Sequence, residues 1–259
     1  MKTKTIFRIA IVVCILTMAY YIFNKIRSVP YNSRKINQNG QYQPFYGYTI
    51  VAMIDPSLTT LAQRIEQFLR TSSLSASYSP LPAATYHMTI FSIYQCGNRM
   101  IPPIKRWADA TGNIVSSSHF LPGNVLQNQN DKAMCIIDKY LVEPLRIRYS
   151  RLIINERGIK LLLEVDERSM MLIRNARDQF AKIYENDDMS LEPIDEKLHM
   201  GLAYVYAPTG RQLDVNERNE LIELIERFNG KTFVLPSVYL FDSMTNYIPY
   251  RKTDGVTQC

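Results

Sequence analysis

Two rhythms of apolar positions alternate along this chain, and they recur in the same order twice. YGYTIVAMI (46–54) is rich in β-branched and aromatic residues and predicts a strand. DPSLTTLAQRIEQFLR follows, with Leu58, Leu61, Ala62, Ile65, Phe68 and Leu69 on one face at helical spacing. Asp55 suits the cap of that helix and Pro56 its first position. A loose segment (71–84) leads into TYHMTIFSIY (85–94), which has strand character, and residues 95–130 read mostly as loop. A helix is expected over 131–144, then strands over 146–155 and 159–165 joined by a turn at ERG.

The second half repeats that order. Strand 159–165 is followed by a helix over about 167–184, a polar acidic loop, and a second strand, KLHMGLAYVY (197–206). DVNERNELIELIERFNG predicts a helix capped by Asp214 with Glu217 three residues on, and ended by Gly230. TFVLPSVYLF (232–241) predicts the last long strand, with NYIPY trailing it. Each half thus reads strand, helix, His strand, helix, strand, a duplication that two paired sheets around one groove would accommodate.

The two His strands share a local pattern: an apolar or aromatic residue, His, Met, a small residue, an apolar residue. Side chains on a strand alternate between faces. Strict alternation puts His87, Thr89, Phe91 and Ile93 together on the first strand, and His199, Gly201, Ala203 and Val205 together on the second. Met88 and Met200 then face a helix-covered core, and Tyr204 falls on that core side. The His faces are left to meet across the groove.

Such a pair can do acid–base chemistry. Histidine's ordinary pKa of about 6.5 lets one ring be neutral while the other is charged. The neutral ring takes a proton from water or a ribose hydroxyl, and the cationic ring gives one to a departing oxygen. Each transfer contributes about 10²–10⁴-fold. Thr89 lies roughly 6–7 Å beyond His87 on the same face, where its hydroxyl reaches a phosphoryl oxygen.

Other candidates are less well framed. Tyr94 and Tyr206 end the two strands and are candidate surfaces for stacking a base, with ordinary packing as the alternative. Arg99, Lys105 and Arg106 follow the first His strand, either to reach phosphate or as a solvated charge run. Trp107 suits a core anchor. His119, the third histidine, sits in the loop SSSHFLPG without a strand context. There is no Gly-rich phosphate loop, HExxH or C-x-x-C spacing, so neither a cofactor nor a metal site is expected. Cys96 and Cys135 can pair or stand free.

Charge changes the picture at one end only. Of 30 Lys and Arg, seven lie in residues 1–35, where there is no acid; the other 23 face 24 Asp and Glu. The body is near neutral, so any nucleic-acid contact must come from a local groove. IAIVVCILTMAYYIF (9–23) is apolar, and Thr5 to Phe23 gives 19 residues if Arg8 snorkels. A membrane span needs about 17–25, and no A-x-A-like cleavage site follows. The expectation is a single-pass membrane protein held by an N-terminal transmembrane helix, with a cleaved signal and a secreted product as the alternative. Residues 1–24 would be this anchor or signal and 25–44 a linker.

PLPAATYHMTIF, KLHMGLAYVY and the closing VYLFDSMTNYIPY resemble the 2H phosphoesterase, or LigT-like, superfamily, marked by two H-x-[TS]-x motifs on strands of related lobes. The resemblance covers roughly residues 45–252 and places one such domain at 45–259. It implies an α+β, bilobal LigT-like fold of two related β-α-β(His)-α-β lobes around a central cleft. It also implies metal-independent cleavage of phosphodiesters without a cofactor, the substrates being nucleotides or RNA ends such as 2′,3′-cyclic phosphates. His87 and His199 match the catalytic positions, and Thr89 matches the phosphate-binding position of the first motif. Gly201 stands where the second motif has Thr or Ser. A lost hydrogen bond to a charged group costs about 1.5–3 kcal/mol. A glycine lets a ligand approach its backbone closely, and Tyr204, Tyr206 and Thr209 are candidate replacements for the hydroxyl. Two further readings stay open: a membrane-tethered nucleotide- or phosphate-binding module of this fold that has lost turnover, and a structural membrane-tethered adaptor in which neither His lines a cleft.

Overall fold

The computed structural model describes residues 34–113, 115, 121–186, 198–208 and 213–252. Its strands are β1 (Gly47–Met53), β2 (Tyr78–Pro80), β3 (His87–Gln95), β4 (Leu145–Asn155), β5 (Gly158–Val165), β6 (His199–Val205), β7 (Thr232–Phe233), β8 (Ser237–Ser243) and β9 (Asn246–Pro249). Its helices are α1 (Thr59–Thr71), α2 (Pro102–Thr111), α3 (Gln127–Tyr140), α4 (Glu167–Tyr184) and α5 (Val215–Glu226). The fold is α+β with a single antiparallel sheet in the order β7-β4-β5-β6-β3-β1-β8-β9, and β2 adds to β6.

Sheet order shows how the duplication is used. Reading outward from the junction of the two His strands, one side runs β3-β1-β8 and the other β6-β5-β4. Each side is His strand, first strand, last strand, and the last strand comes from the opposite half of the sequence. The helices follow the same exchange: α1 packs on α5 and α3 on α4, so each helix pair also draws on both halves. The lobes are therefore interleaved rather than consecutive, unlike the sequential β-α-β(His)-α-β lobes expected from the repeat. The lobes join where β3 and β6 pair antiparallel at Met88 and Met200, both fully buried. His87 and His199 each lie one residue before that pair.

Local signals account for most boundaries. Asp55 accepts from the Ser57 amide at 2.8 Å and starts a 3₁₀ turn, Pro56–Leu58, ahead of α1. Asp214 and Glu217 form the expected capping box of α5. Pro236 splits the expected strand 232–241 into β7, which pairs with β4, and β8, which pairs with β1. Two elements fall where loop was expected. Strand β2 lies inside the segment 71–84, and α2 opens on Pro102 and Pro103 and ends on Gly112 at φ 69°, an arrangement suited to helix ends.

Two expectations at the N-terminal side are corrected. No helix among the described residues is long and apolar enough to cross a membrane, which overturns the membrane-anchored localisation; residues 1–24, on which it rested, lie outside the described residues. Residues 34–44, read as linker, are packed on the domain. Ile36 is fully buried and bridges Tyr42, Arg34 donates to the Gly97 carbonyl at 3.0 Å, and the Tyr42 hydroxyl donates to the Ser79 carbonyl at 2.7 Å.

Gly47 opens β1 between β3 and β8. A Cβ there would lie 2.2 Å from the Tyr94 carbonyl oxygen and 2.5 Å from the Phe241 ring. The Tyr94 contact is backbone and cannot swing away, so Gly47→Ala is expected to destabilise the fold by about 1–3 kcal/mol, read as a lower urea midpoint with an unchanged slope.

Candidate active site

Burial along the two His strands departs from strict alternation in the same way. In β3 the half-buried residues are His87, Thr89, Ser92 and Gln95; in β6 they are His199, Gly201 and Tyr204. The cause is a β-bulge in each. Against β1, Thr89 and Phe91 pair with successive residues, which leaves Ile90 without a partner, and Ile93 is skipped likewise. Against β5, Gly201 and Ala203 pair with Lys160 and Ile159, skipping Leu202. A bulge puts two consecutive side chains on the core side and resets the alternation. Ile90 and Leu202 are both three residues after their His, so the halves share the bulge as well as the histidine. Phe91 and Ile93 consequently face the core, with exposures of 0% and 1%. Tyr204 turns to the His face, opposite to the side that simple parity assigns it.

One cavity of about 320 Å³ receives these side chains. It is lined by His87, Thr89, His199, Gly201 and Tyr204, together with Lys35, Arg177 and Tyr247, a volume at the small end of ligand sites. The sequence-predicted His87, Thr89, His199 and Gly201 are thus brought together. Tyr94 and Tyr206 are not among them. Tyr94 is 5% exposed and turned away by the bulge at Ile93. The Tyr206 hydroxyl donates to the Ser75 carbonyl at 2.7 Å, and its ring packs over Gly40. His119 and Thr209 lie outside the described residues.

The His87 ring is oriented from behind. Its Nδ1 lies 2.7 Å from the Thr85 carbonyl oxygen. A carbonyl only accepts, so Nδ1 carries the proton and Nε2 of the neutral ring keeps its lone pair. The Thr85 carbonyl is fixed by the 3₁₀ turn Ala83–Thr85, whose first amide donates to Glu66 of α1 at 2.7 Å. Tyr247 of β9 covers the ring at 4.7 Å between centroids. Burial pulls the His87 imidazole down to about 4; the His199 and Lys35 charges push the same way, and the Thr85 hydrogen bond opposes them. His199 is held by β6 pairing to Leu162 and by the Leu163 amide donating to the adjoining Leu198 carbonyl at 2.8 Å.

Three lining residues have no warning in the sequence. Arg177 is 6% exposed on the inner face of α4, in a position periodicity assigns to core. Tyr247 comes from the short trailing strand. Lys35 comes from the packed N-terminal segment: its Nζ donates to the Tyr204 hydroxyl at 3.1 Å and sits 5.0 Å and 4.9 Å from the Phe45 and Tyr204 ring centroids. A larger, more open groove of about 1120 Å³ adjoins the cavity through Ser92 and Gln95. Arg99, Lys105 and Arg106 line it, with Arg106 paired to Glu185. Trp107 packs against the core. Cys96 is a buried free thiol and so does not pair with Cys135.

Known proteins resemble this chain in sequence and in fold. A family model described as "2H-phosphodiest: Domain of unknown function (DUF1868)" matches residues 35–107, from Lys35 through the first His strand. Over 227 residues the chain is 33% identical to "Uncharacterized protein 127L" of Invertebrate iridescent virus 6, covering 83% of this chain and 93% of that protein. The chain belongs to the 2H phosphoesterases, a class whose chemistry is of the phosphodiesterase type. The viral 127L protein is a relative across nearly its whole length. Among solved structures, the protein of unknown function ATU0111 from Agrobacterium tumefaciens shares the fold at TM-score 0.55 and 15% identity, covering 83% of this chain and 89% of its own. E. coli LigT in apo form matches at TM-score 0.41 and 10% identity, over 81% of this chain and 96% of its own.

Proposed function

We propose that the chain is a phosphodiesterase acting on a nucleotide or RNA-end phosphodiester, with 2′,3′-cyclic phosphates as the model substrate. The observation that supports it most is the single cavity receiving His87 and His199 from matched, bulged strands. His87 is the base: neutral near pH 7, with Nδ1 engaged and Nε2 free to accept. His199 is the acid. Water attacks phosphorus as His87 takes its proton; the P–O bond to the 2′ or 3′ oxygen breaks, and His199 protonates the departing oxygen. The rings then exchange their protons with solvent. Thr89 donates its hydroxyl to a non-bridging phosphoryl oxygen.

An imidazole at about 4 is a weak base, but the bound substrate is an anion. Its charge opposes those of His199 and Lys35 and raises His87 toward the working range.

The test is release of a nucleoside monophosphate from adenosine 2′,3′-cyclic phosphate by the purified domain. Gly201 favours a second reading, a nucleotide-binding module without turnover. Calorimetric binding of the cyclic nucleotide with no product over many hours is the result that would select it.

A further inference from the structure

On the reading of this cavity as a phosphodiester site, the second motif lacks its hydroxyl at Gly201. We propose that Tyr204 and Lys35 together supply the phosphoryl-oxygen contact that Gly201 cannot make. Three observations carry this. First, the bulge at Leu202 returns Tyr204 to the face of His199 and Gly201, the place Ser92 occupies relative to His87 and Thr89. Second, the Tyr204 hydroxyl accepts from Lys35 Nζ and donates to the Met244 sulfur at 3.4 Å. A thioether is a weak acceptor, so redirecting that proton to an anionic oxygen loses little. Third, Lys35 is a half-buried cation lining the cavity, and among the described residues no carboxylate ion-pairs with it. Its ammonium has three donors, and the aromatic rings of Phe45 and Tyr204 flank it without neutralising its charge. An anion entering between the imidazoles therefore meets a hydroxyl and an ammonium already bonded to one another.

Tyr204 lies about 7 Å beyond Gly201 along the bulged strand, and both line the same cavity. The contact is a charge-assisted one. A hydroxyl in place of Gly201 would duplicate it, and the site has room for one: a Cβ on Gly201 meets only a Leu81 methyl, at 3.6 Å.

The experiment compares Tyr204→Phe, Lys35→Met and Gly201→Thr, singly and combined, on adenosine 2′,3′-cyclic phosphate, with inorganic phosphate titrated into each by calorimetry. The Tyr204→Phe variant keeps the edge contact with Tyr42 and the ring beneath Lys35, and the Lys35→Met variant keeps an aliphatic stem, so both are expected to fold. Tyr204→Phe is expected to lower kcat/KM about 10-fold, and Lys35→Met to weaken phosphate binding about 10- to 100-fold. Gly201→Thr, combined with Tyr204→Phe, is expected to restore most of the Tyr204→Phe loss. A Tyr204→Phe enzyme at full activity overturns the proposal, as does a loss that Gly201→Thr leaves unrescued. So does a Gly201→Thr gain of 10-fold or more in the wild type, which would show the contact is missing rather than supplied. If no variant, including wild type, releases product, the phosphodiesterase reading fails. The phosphate titration still decides the anion contact: unchanged affinity in Lys35→Met overturns it, and a 10-fold loss supports it.

Discussion

Replacing His87 or His199 by alanine is expected to lower turnover of a 2′,3′-cyclic nucleotide by about 10²–10⁴-fold each, the range for a positioned acid or base. The two losses should not add. Base and acid act in one displacement, so once either ring is gone the residual rate comes from substrate positioning by Thr89 and the cavity's cations, and removing the second ring changes little more. The geometry makes the roles unequal. His87 has its Nδ1 occupied by the Thr85 carbonyl and can exchange protons only through Nε2. His87→Gln, which places an amide there, should therefore be as inactive as His87→Ala. Rates within threefold of wild type in either single variant would remove that histidine from the chemistry.

Acid should weaken the fold through the same ring. His87 is pulled from its ordinary 6.5 to about 4 by burial. Between those values the unfolded chain binds a proton at this position that the folded chain does not, so stability must fall as pH falls. The carboxylates held below their usual range, such as Asp166 and Glu217, add their own loss as pH falls through the ordinary carboxylate range, where their unfolded forms protonate, and this loss is common to wild type and a His87 variant. From pH 6.5 to 4.5 the drop attributable to His87 is about 2–3 kcal/mol, from 1.36 kcal/mol per unit. The charged and polar groups facing His87 are His199, Lys35, the Tyr247 ring and the Thr85 carbonyl. All of them remain in His87→Gln, so the difference between wild-type and variant urea midpoints across this window isolates the one ring. Parallel curves would mean His87 is already protonated, or already solvated, in the native protein.

The parts of this protein that follow from local chemistry can be read directly from its residues. The capping box at Asp214 and Glu217, the Pro and Gly at helix ends and the repeated strand–helix–His-strand order all signal their elements without a partner. The proximity of His87 and His199 follows from the repeat once the two halves share a sheet. What stays hidden depends on neighbours. The bulge at Ile90 carries no glycine or proline to mark it, and the one at Leu202 has only the adjoining Gly201 as a local sign; both exist because β1 and β5 pair around those residues. Without them, parity sends Tyr204 to the core and Phe91 to the cleft, the reverse of what is found. The exchange of β4 and β8 between lobes is a long-range pairing with no local signature. Lys35 belongs to a polar, turn-rich stretch that resembles a linker until Ile36 is seen buried beside it. Arg177 sits at a core-facing helical position, where an arginine has to be found with the other cavity residues before it means anything.

The most direct test of two histidines working on one phosphodiester is the pH dependence of hydrolysis of adenosine 2′,3′-cyclic phosphate. kcat/KM reports the free enzyme and kcat the complex. The wild type should give a bell, with the acid limb of kcat/KM near pH 4 and the same limb of kcat at higher pH, because the bound anion raises His87; in His87→Ala the acid limb should vanish. A profile that is flat from about pH 4 to 9, or identical in wild type and the His87→Ala, His199→Ala double variant, would contradict the account.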